Sequence, residues 1–275
     1  MKRLLVGAMA GVGLTALALL PGPAAAQTRT ALVDKIVKEG TLRVCVAVAT
    51  PWMFKDPNSN DLVGFDVDMV KALAQVMEVK HELVPVPAFG QLISSLQSGK
   101  CDVIMSALTR TTKRAMAVAF TEPYFTLGTV WAVNKDRTDL NTLADLNKPE
   151  ITLAAEQGAL SETVSRKHLP NAQIRSLPGG GDAIRMAEVQ TKRADAAAVD
   201  NIKMNAYAAA YPWVKFIPAD GFDNPVDLAG LAYAVRREDL DFVNFLNVFI
   251  FNMNANGTIP ALKAKWVKPE YILGK

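Results

Sequence analysis

Apolar residues along this chain fall into short runs and helical stripes in turn, the pattern of strands alternating with helices. Residues 42–48 are nearly all apolar, as in a strand covered on both faces. After a turn-rich loop, Gly64-Phe65-Asp66 leads into a stripe of Val67, Val70, Leu73 and Met77, which predicts a helix capped by Asp66. A strand is expected around Glu82-Leu83-Val84. Phe89, Leu92, Ile93 and Leu96 then recur at helical spacing until Ser98-Gly99-Lys100 stops them, and 102–106 reads as the next strand. The alternation resumes with strands at 151–155, around Ile174 and Leu177, and at 194–199, separated by helices at 161–168 and 182–191. A strand at 231–235 and a helix at 239–253 follow; Asn256-Gly257 ends that helix, and Ile259, Leu262 and Trp266 mark a last amphipathic segment.

This pattern predicts an α/β protein of two open-sheet lobes. Residues 131–135 and 225–230 lie where the chain would cross between them, and two extended crossovers make a hinge, because a few backbone torsions there move one lobe against the other. The expected organisation is a leader at 1–26, one lobe built from 27–132 plus 228–275, and a second from 133–227. The leader follows from Lys2 and Arg3, the uncharged apolar run 4–20, the break at Pro21-Gly22-Pro23, and the small residues Ala24-Ala25-Ala26. That is a secretory signal peptide, with cleavage expected after Ala26 and a periplasmic destination.

Charge changes the picture little. Without Lys2 and Arg3 the chain carries 28 basic and 27 acidic residues, so it has no excess with which to neutralise phosphates, and nucleic acid is not an expected partner. Cys45 and Cys101 fall in two predicted strands. An oxidising compartment would let them pair, but adjacent parallel strands rarely present the required Cβ geometry, so two buried thiols are expected. His81 and His168 are the only histidines and no paired-cysteine motif exists, so neither a metal nor a cofactor is expected. Gly179-Gly180-Gly181 is out of register for a dinucleotide loop, and no Gly-x-Ser-x-Gly elbow occurs.

The most informative stretch holds Gln97-Ser98-Gly99-Lys100, Asp102-Val103-Ile104-Met105, Thr109-Arg110-Thr111-Thr112-Lys113-Arg114 and Phe120-Thr121-Glu122-Pro123-Tyr124. Leu62-Val63-Gly64-Phe65-Asp66-Val67-Asp68 precedes it, and Asn256-Gly257-Thr258 and Lys265-Trp266 follow near the end. With these motifs in this order, from about Gly40 to Trp266, the chain resembles the amino-acid-binding branch of the periplasmic solute-binding proteins that feed ABC importers. The resemblance implies a type II periplasmic-binding-protein-like fold, an amino-acid ligand, a membrane permease as partner, a monomer, and no enzymatic activity.

Arg114 is the leading site residue. Thr111 can cap a short helix beginning at Thr112, which leaves Arg114 in the first turn, able to reach back over the carboxyl end of the preceding strand. A guanidinium binds a carboxylate bidentately, and the resemblance places the α-carboxylate clamp here. Asp200 closes the strand at 194–199, at the carboxyl edge of an open sheet where ligands collect; the resemblance gives it the ammonium, although it could equally cap the next helix. The same likeness implies the Ala107 carbonyl on the ammonium, Thr109 on the carboxylate, and the N–H of Leu160 at a helix start. Hydroxyl residues are usual where this chain has Ala159 and Leu160, and a tyrosine where it has Ala49. Trp52 and Phe89 are candidate pocket walls, and Glu156 would face the cleft, where it could accept a polar or basic ligand end. The same architecture also hosts exported cyclohexadienyl dehydratases, for which Glu156 would be the candidate acid or base. A receptor's sensing domain is not expected, since no membrane span or output domain follows up to Lys275.

Overall fold

The computed structural model describes residues 31–273. The leader and its cleavage point after Ala26 lie outside the described residues, among which no helix is long and apolar enough to cross a membrane. The first part runs α1 (Leu32–Glu39), β1 (Thr41–Val46), β2 (Phe54–Lys55), β3 (Leu62–Val63), α2 (Phe65–Val76), β4 (Lys80–Pro85), α3 (Leu92–Gln97), β5 (Val103–Ile104), α4 (Thr112–Ala115) and β6 (Val118–Phe120). The middle comprises β7 (Phe125–Asn134), α5 (Leu143–Leu146), β8 (Thr152–Glu156), α6 (Leu160–His168), β9 (Gln173–Leu177), α7 (Gly181–Gln190), β10 (Ala196–Asp200), α8 (Met204–Ala210) and β11 (Val214–Ile217). The chain returns through β12 (Val226–Leu231) and β13 (Ala234–Arg236) to α9 (Leu240–Ala255), α10 (Thr258–Trp266) and α11 (Pro269–Ile272).

Two main sheets result. The first has the order β4-β1-β5-β13-β6, with β4, β1 and β5 parallel. Leu42, Val44 and Val46 pack on one face with Phe65, Met69, Val70 and Leu73 of α2. Cys45 and Ile104 pack on the other with Leu92 and Leu96 of α3. Burial on both faces is why β1 reads as a nearly continuous apolar run, interrupted by Arg43. In the second sheet, β11-β7-β10-β8-β9, the period-2 alternation of β7 sends Trp131 and Val133 into one core and Val130 and Ala132 into another.

The crossing into the second sheet comes earlier than the apolar pattern indicates. Thr129 already pairs with Asp200 of β10, and Trp131 is fully buried in the second core, so the chain crosses along Phe125–Leu127, paired with Leu231–Ala229 of β12. The end of the chain touches both cores. Tyr271 stacks near Phe54, while Ile272 packs among Met204 and Tyr207 of α8.

Two further expectations are corrected. Cys45 and Cys101 form a disulfide, with Cα atoms 5.5 Å apart. The expectation of two separate thiols assumed that both cysteines were in strand register, but β5 is only Val103–Ile104 and Cys101 precedes it, free to turn its sulfur toward Cys45. Asp66 does not cap a helix. Gly64 occupies the N-cap of α2, and Asp66, in its first turn, is fully buried against the neighbouring loop.

Candidate functional site

The first half of the site is the loop from β5 to α4. Ser106 Oγ accepts the Ala47 N–H at 2.9 Å and donates to its carbonyl at 2.8 Å. Ala107 is held at φ 47, a left-handed conformation that a residue with a Cβ keeps only when its surroundings enforce it. The enforcing group is Asp66, whose Oδ2 accepts the Ala107 N–H at 2.7 Å and the Tyr124 hydroxyl at 3.0 Å. Tyr233 donates to its other oxygen at 3.4 Å.

Burial pushes the Asp66 carboxyl up to about 7, against the opposing pull of Tyr124, Ala107 and Tyr233. The folded protein therefore keeps a proton that the unfolded chain releases near pH 4. The stability this confers is fully present below about pH 4 and is lost as pH rises through about 7, on the order of 4 kcal/mol in all. The wild type should accordingly melt lower at pH 8 than at pH 5.5, and Asp66→Asn should flatten that slope in calorimetry. An unchanged slope in the variant would remove Asp66 as its source.

Arg114 stands beside this loop as the sequence indicates. Thr111 caps α4, its side chain accepting the Arg114 N–H at 3.2 Å. Arg114 Nη1 donates to the carbonyl of Thr109 at 2.9 Å and to its hydroxyl, and Nη2 reaches across to the Gly158 carbonyl at 2.9 Å. Among the described residues no carboxylate lies within ion-pair distance of it. Burial lowers its pKa to about 10, so it stays charged at neutral pH, held by neutral acceptors alone.

The second half comes from the carboxyl ends of β8 and β10 and the start of α7. Glu156 ends β8, and Gly158 turns the chain at φ 74 into α6. Only glycine fits there, since a Cβ would lie 2.8 Å from the Gly90 Cα opposite. From Glu156 a chain of charges runs under the site. Arg185 Nη1 donates to Glu156 at 3.2 Å and Nη2 to Asp182. Lys203 bridges Asp182 and Asp200, 2.8 Å from the latter. The Tyr207 hydroxyl adds a bond to Asp182 at 3.0 Å. Burial alone would raise the Asp182 carboxyl, but Lys203 and Arg185 outweigh it and hold the group low. Lys203 is raised for the converse reason, Asp182 and Asp200 overcoming burial. Glu156 is raised, chiefly by burial, although Arg185 and the N–H groups of Phe89 and Gly181 favour its charged form.

All the residues singled out from sequence, namely Trp52, Phe89, Ala107, Thr109, Arg114, Glu156, Leu160 and Asp200, line one cavity of about 170 Å³. Trp52 reaches it from the core, 4.7 Å edge-on to Phe125 and 5.4 Å from Phe65. Asp200 makes no capping hydrogen bond, and among the described residues Lys203 is its charged partner. Glu156 faces the cavity with its carboxylate already engaged by Arg185. Sequence reasoning missed Asp182, Arg185 and Lys203, which line the same cavity. Arg185 falls in a predicted helix and Lys203 just after Asp200, places where a charge looks solvated; the apolar Val189, four residues on from Arg185, was the sign that the Arg185 face turns inward.

Comparison with known proteins gives the family. Residues 42–269 match the family model of bacterial extracellular solute-binding proteins, family 3. The arginine-binding extracellular protein ArtP of Bacillus subtilis is 27% identical over 222 residues, 80% of this chain and 83% of that one. The histidine-binding periplasmic protein of Salmonella typhimurium is 28% identical over 217 residues, 78% of this chain and 82% of that one. Among solved structures, the ancestral amino acid-binding protein AncCDT-1, a precursor of cyclohexadienyl dehydratase, is 35% identical with a TM-score of 0.76, covering 86% of this chain and 99% of its own. The two-sheet fold, the shared cavity and a family match over most of the chain lead to one conclusion: this chain belongs to the bacterial extracellular solute-binding proteins, family 3.

Proposed function

We propose that this protein captures a free amino acid outside the cytoplasm and delivers it to the permease of an ABC importer. The observation that carries the reading is Arg114, a half-buried cation without a carboxylate partner among the described residues, lining the same cavity as Asp200. Arg114 and Thr109 take the α-carboxylate, with the Leu160 N–H from the second lobe. Asp200 and the Ala107 carbonyl take the α-ammonium. Because the ligand's two charges engage different lobes, the closed form alone makes every contact, and binding shifts the population toward it. The lobes that move are the two sheet-built halves, and the chain crosses between them along 125–127 and 229–231. Arg114 with Gly158, and Glu156 near the Phe89 N–H, are contacts that closure forms between them. A periplasmic location after removal of 1–26, and action as a monomer without nucleic acid, complete the reading. It is supported by relatives named for arginine and histidine binding.

The test is a thermal-shift panel of the twenty amino acids. A true ligand at a hundred times its Kd adds about 2.7 kcal/mol of stability, a shift of several degrees for a protein of this size. Asp200→Asn should weaken an amino acid at least tenfold more than its deaminated analogue, measured by calorimetry; equal losses would take Asp200 off the ammonium. A second reading, a dehydratase, has one observation in its favour, since burial raises the Glu156 carboxyl toward the range of a general acid. Incubation with prephenate or arogenate and ultraviolet detection of an aromatic product decides it, and no product is expected because Arg185 holds that carboxylate.

A further inference from the structure

The charges around the cavity also bear on which amino acids fit, given the amino-acid reading above. Glu156, Asp182 and Asp200 supply three negative charges, and Arg185 and Lys203 two positive ones, in one connected chain. Arg114 adds one more positive charge from the other lobe. The wall is therefore neutral as a whole, the match for a ligand with equal charges at its α-carbon and none beyond. A basic side chain would bring an extra cation into a site whose carboxylates already have partners, and an unpaired buried charge is costly.

Arg185 sharpens the picture. It is 8% exposed and lines the cavity, and two of its nitrogens serve Glu156 and Asp182. With Arg185 on Glu156, a cationic side chain finds that carboxylate already engaged.

We infer that the side-chain end of this site accepts a neutral group and rejects a cation, because the carboxylates that line it are already paired. Arg185 is the residue that sets this preference, by occupying Glu156. The likeness to arginine- and histidine-binding proteins thus does not extend to the chemistry of the ligand's tail.

L-citrulline and L-arginine test the inference because they have the same length and shape, and differ by a ureido carbonyl in place of a cationic nitrogen. Titration calorimetry of the wild-type protein should show citrulline binding at least tenfold more tightly. Arginine binding as well as or better than citrulline overturns the inference while leaving the amino-acid reading intact. If the strongest ligand in the panel is another compound, a cationic side chain on it likewise overturns the inference, and a neutral one supports it. If no amino acid binds, the amino-acid reading falls and the inference with it. Arg185→Met, checked for native circular dichroism, should reverse the citrulline-to-arginine order by releasing Glu156; an unchanged order removes Arg185 from the role.

Discussion

Arg114→Ala should weaken the binding of the protein's amino-acid ligand by at least a hundredfold, with no loss of thermal stability. The first half follows from the strength of paired charge-assisted hydrogen bonds, about 1.5–3 kcal/mol each. Two such bonds to a carboxylate amount to a factor of about a hundred to ten thousand. The second half follows from what Arg114 touches now. Its partners are the Thr109 carbonyl and hydroxyl and the Gly158 carbonyl, all neutral, and burial pulls its pKa down to about 10. Folding keeps a cation in a place that disfavours it, so its removal should leave the melting temperature unchanged or higher. Sites that hold unmet charge for a ligand are where stability and function oppose each other. Calorimetry with the wild-type ligand and a melting curve read both halves, and retained affinity would move the carboxylate elsewhere in the cavity.

Loss of the Cys45–Cys101 bond should have the largest effect on stability. The bridge closes a loop spanning 56 residues. In the chain-entropy model a loop of that size contributes about 4 kcal/mol by restricting the unfolded chain. For a protein of this length that corresponds to a fall of roughly 8–16 °C in melting temperature. Both cysteines are fully buried beside Leu92, Leu96 and Ile104, so a Cys45→Ala, Cys101→Ala pair loses packing as well. The bridge also ties β1 to the segment that enters β5, two strands whose ends carry Ala47 and the Ala107 loop. The double variant should therefore bind ligand more weakly even at temperatures where it is folded. A melting temperature within about 2 °C of wild type, by scanning calorimetry, would show that the unfolded chain gains little from the bond's removal.

Much of the cavity lining was legible in the sequence, Arg114 and Asp200 at local landmarks and Ala107, Thr109 and Leu160 through the family resemblance. Thr111 and Arg114 are three residues apart on one short turn, so the capped helix and the position of the guanidinium follow from spacing alone. Asp200 ends an apolar run at a sheet's carboxyl edge, and Gly158 precedes a helix start. Other residues were misread where a local rule had two outcomes. Asp66 fits the chemistry of a cap, yet its carboxylate is used 41 residues away on Ala107. Cys101 looks like a strand residue until the strand proves two residues long.

The chain's own pattern determined that helices and strands would alternate, that the strands would be covered on both faces, and which residues would stand at the turns where ligands gather. These properties follow from the spacing of apolar residues and from caps and glycines, which act within a few positions of one another. The tertiary structure alone decided that Glu156, Arg185, Asp182, Lys203 and Asp200 form one chain of charges, that Cys45 meets Cys101, and that Arg114 reaches Gly158. Each of these depends on groups brought together from distant parts of the chain. Whether a charge is solvated or buried beside its opposite depends on that assembly, and nothing within a few residues of Arg185 specifies it.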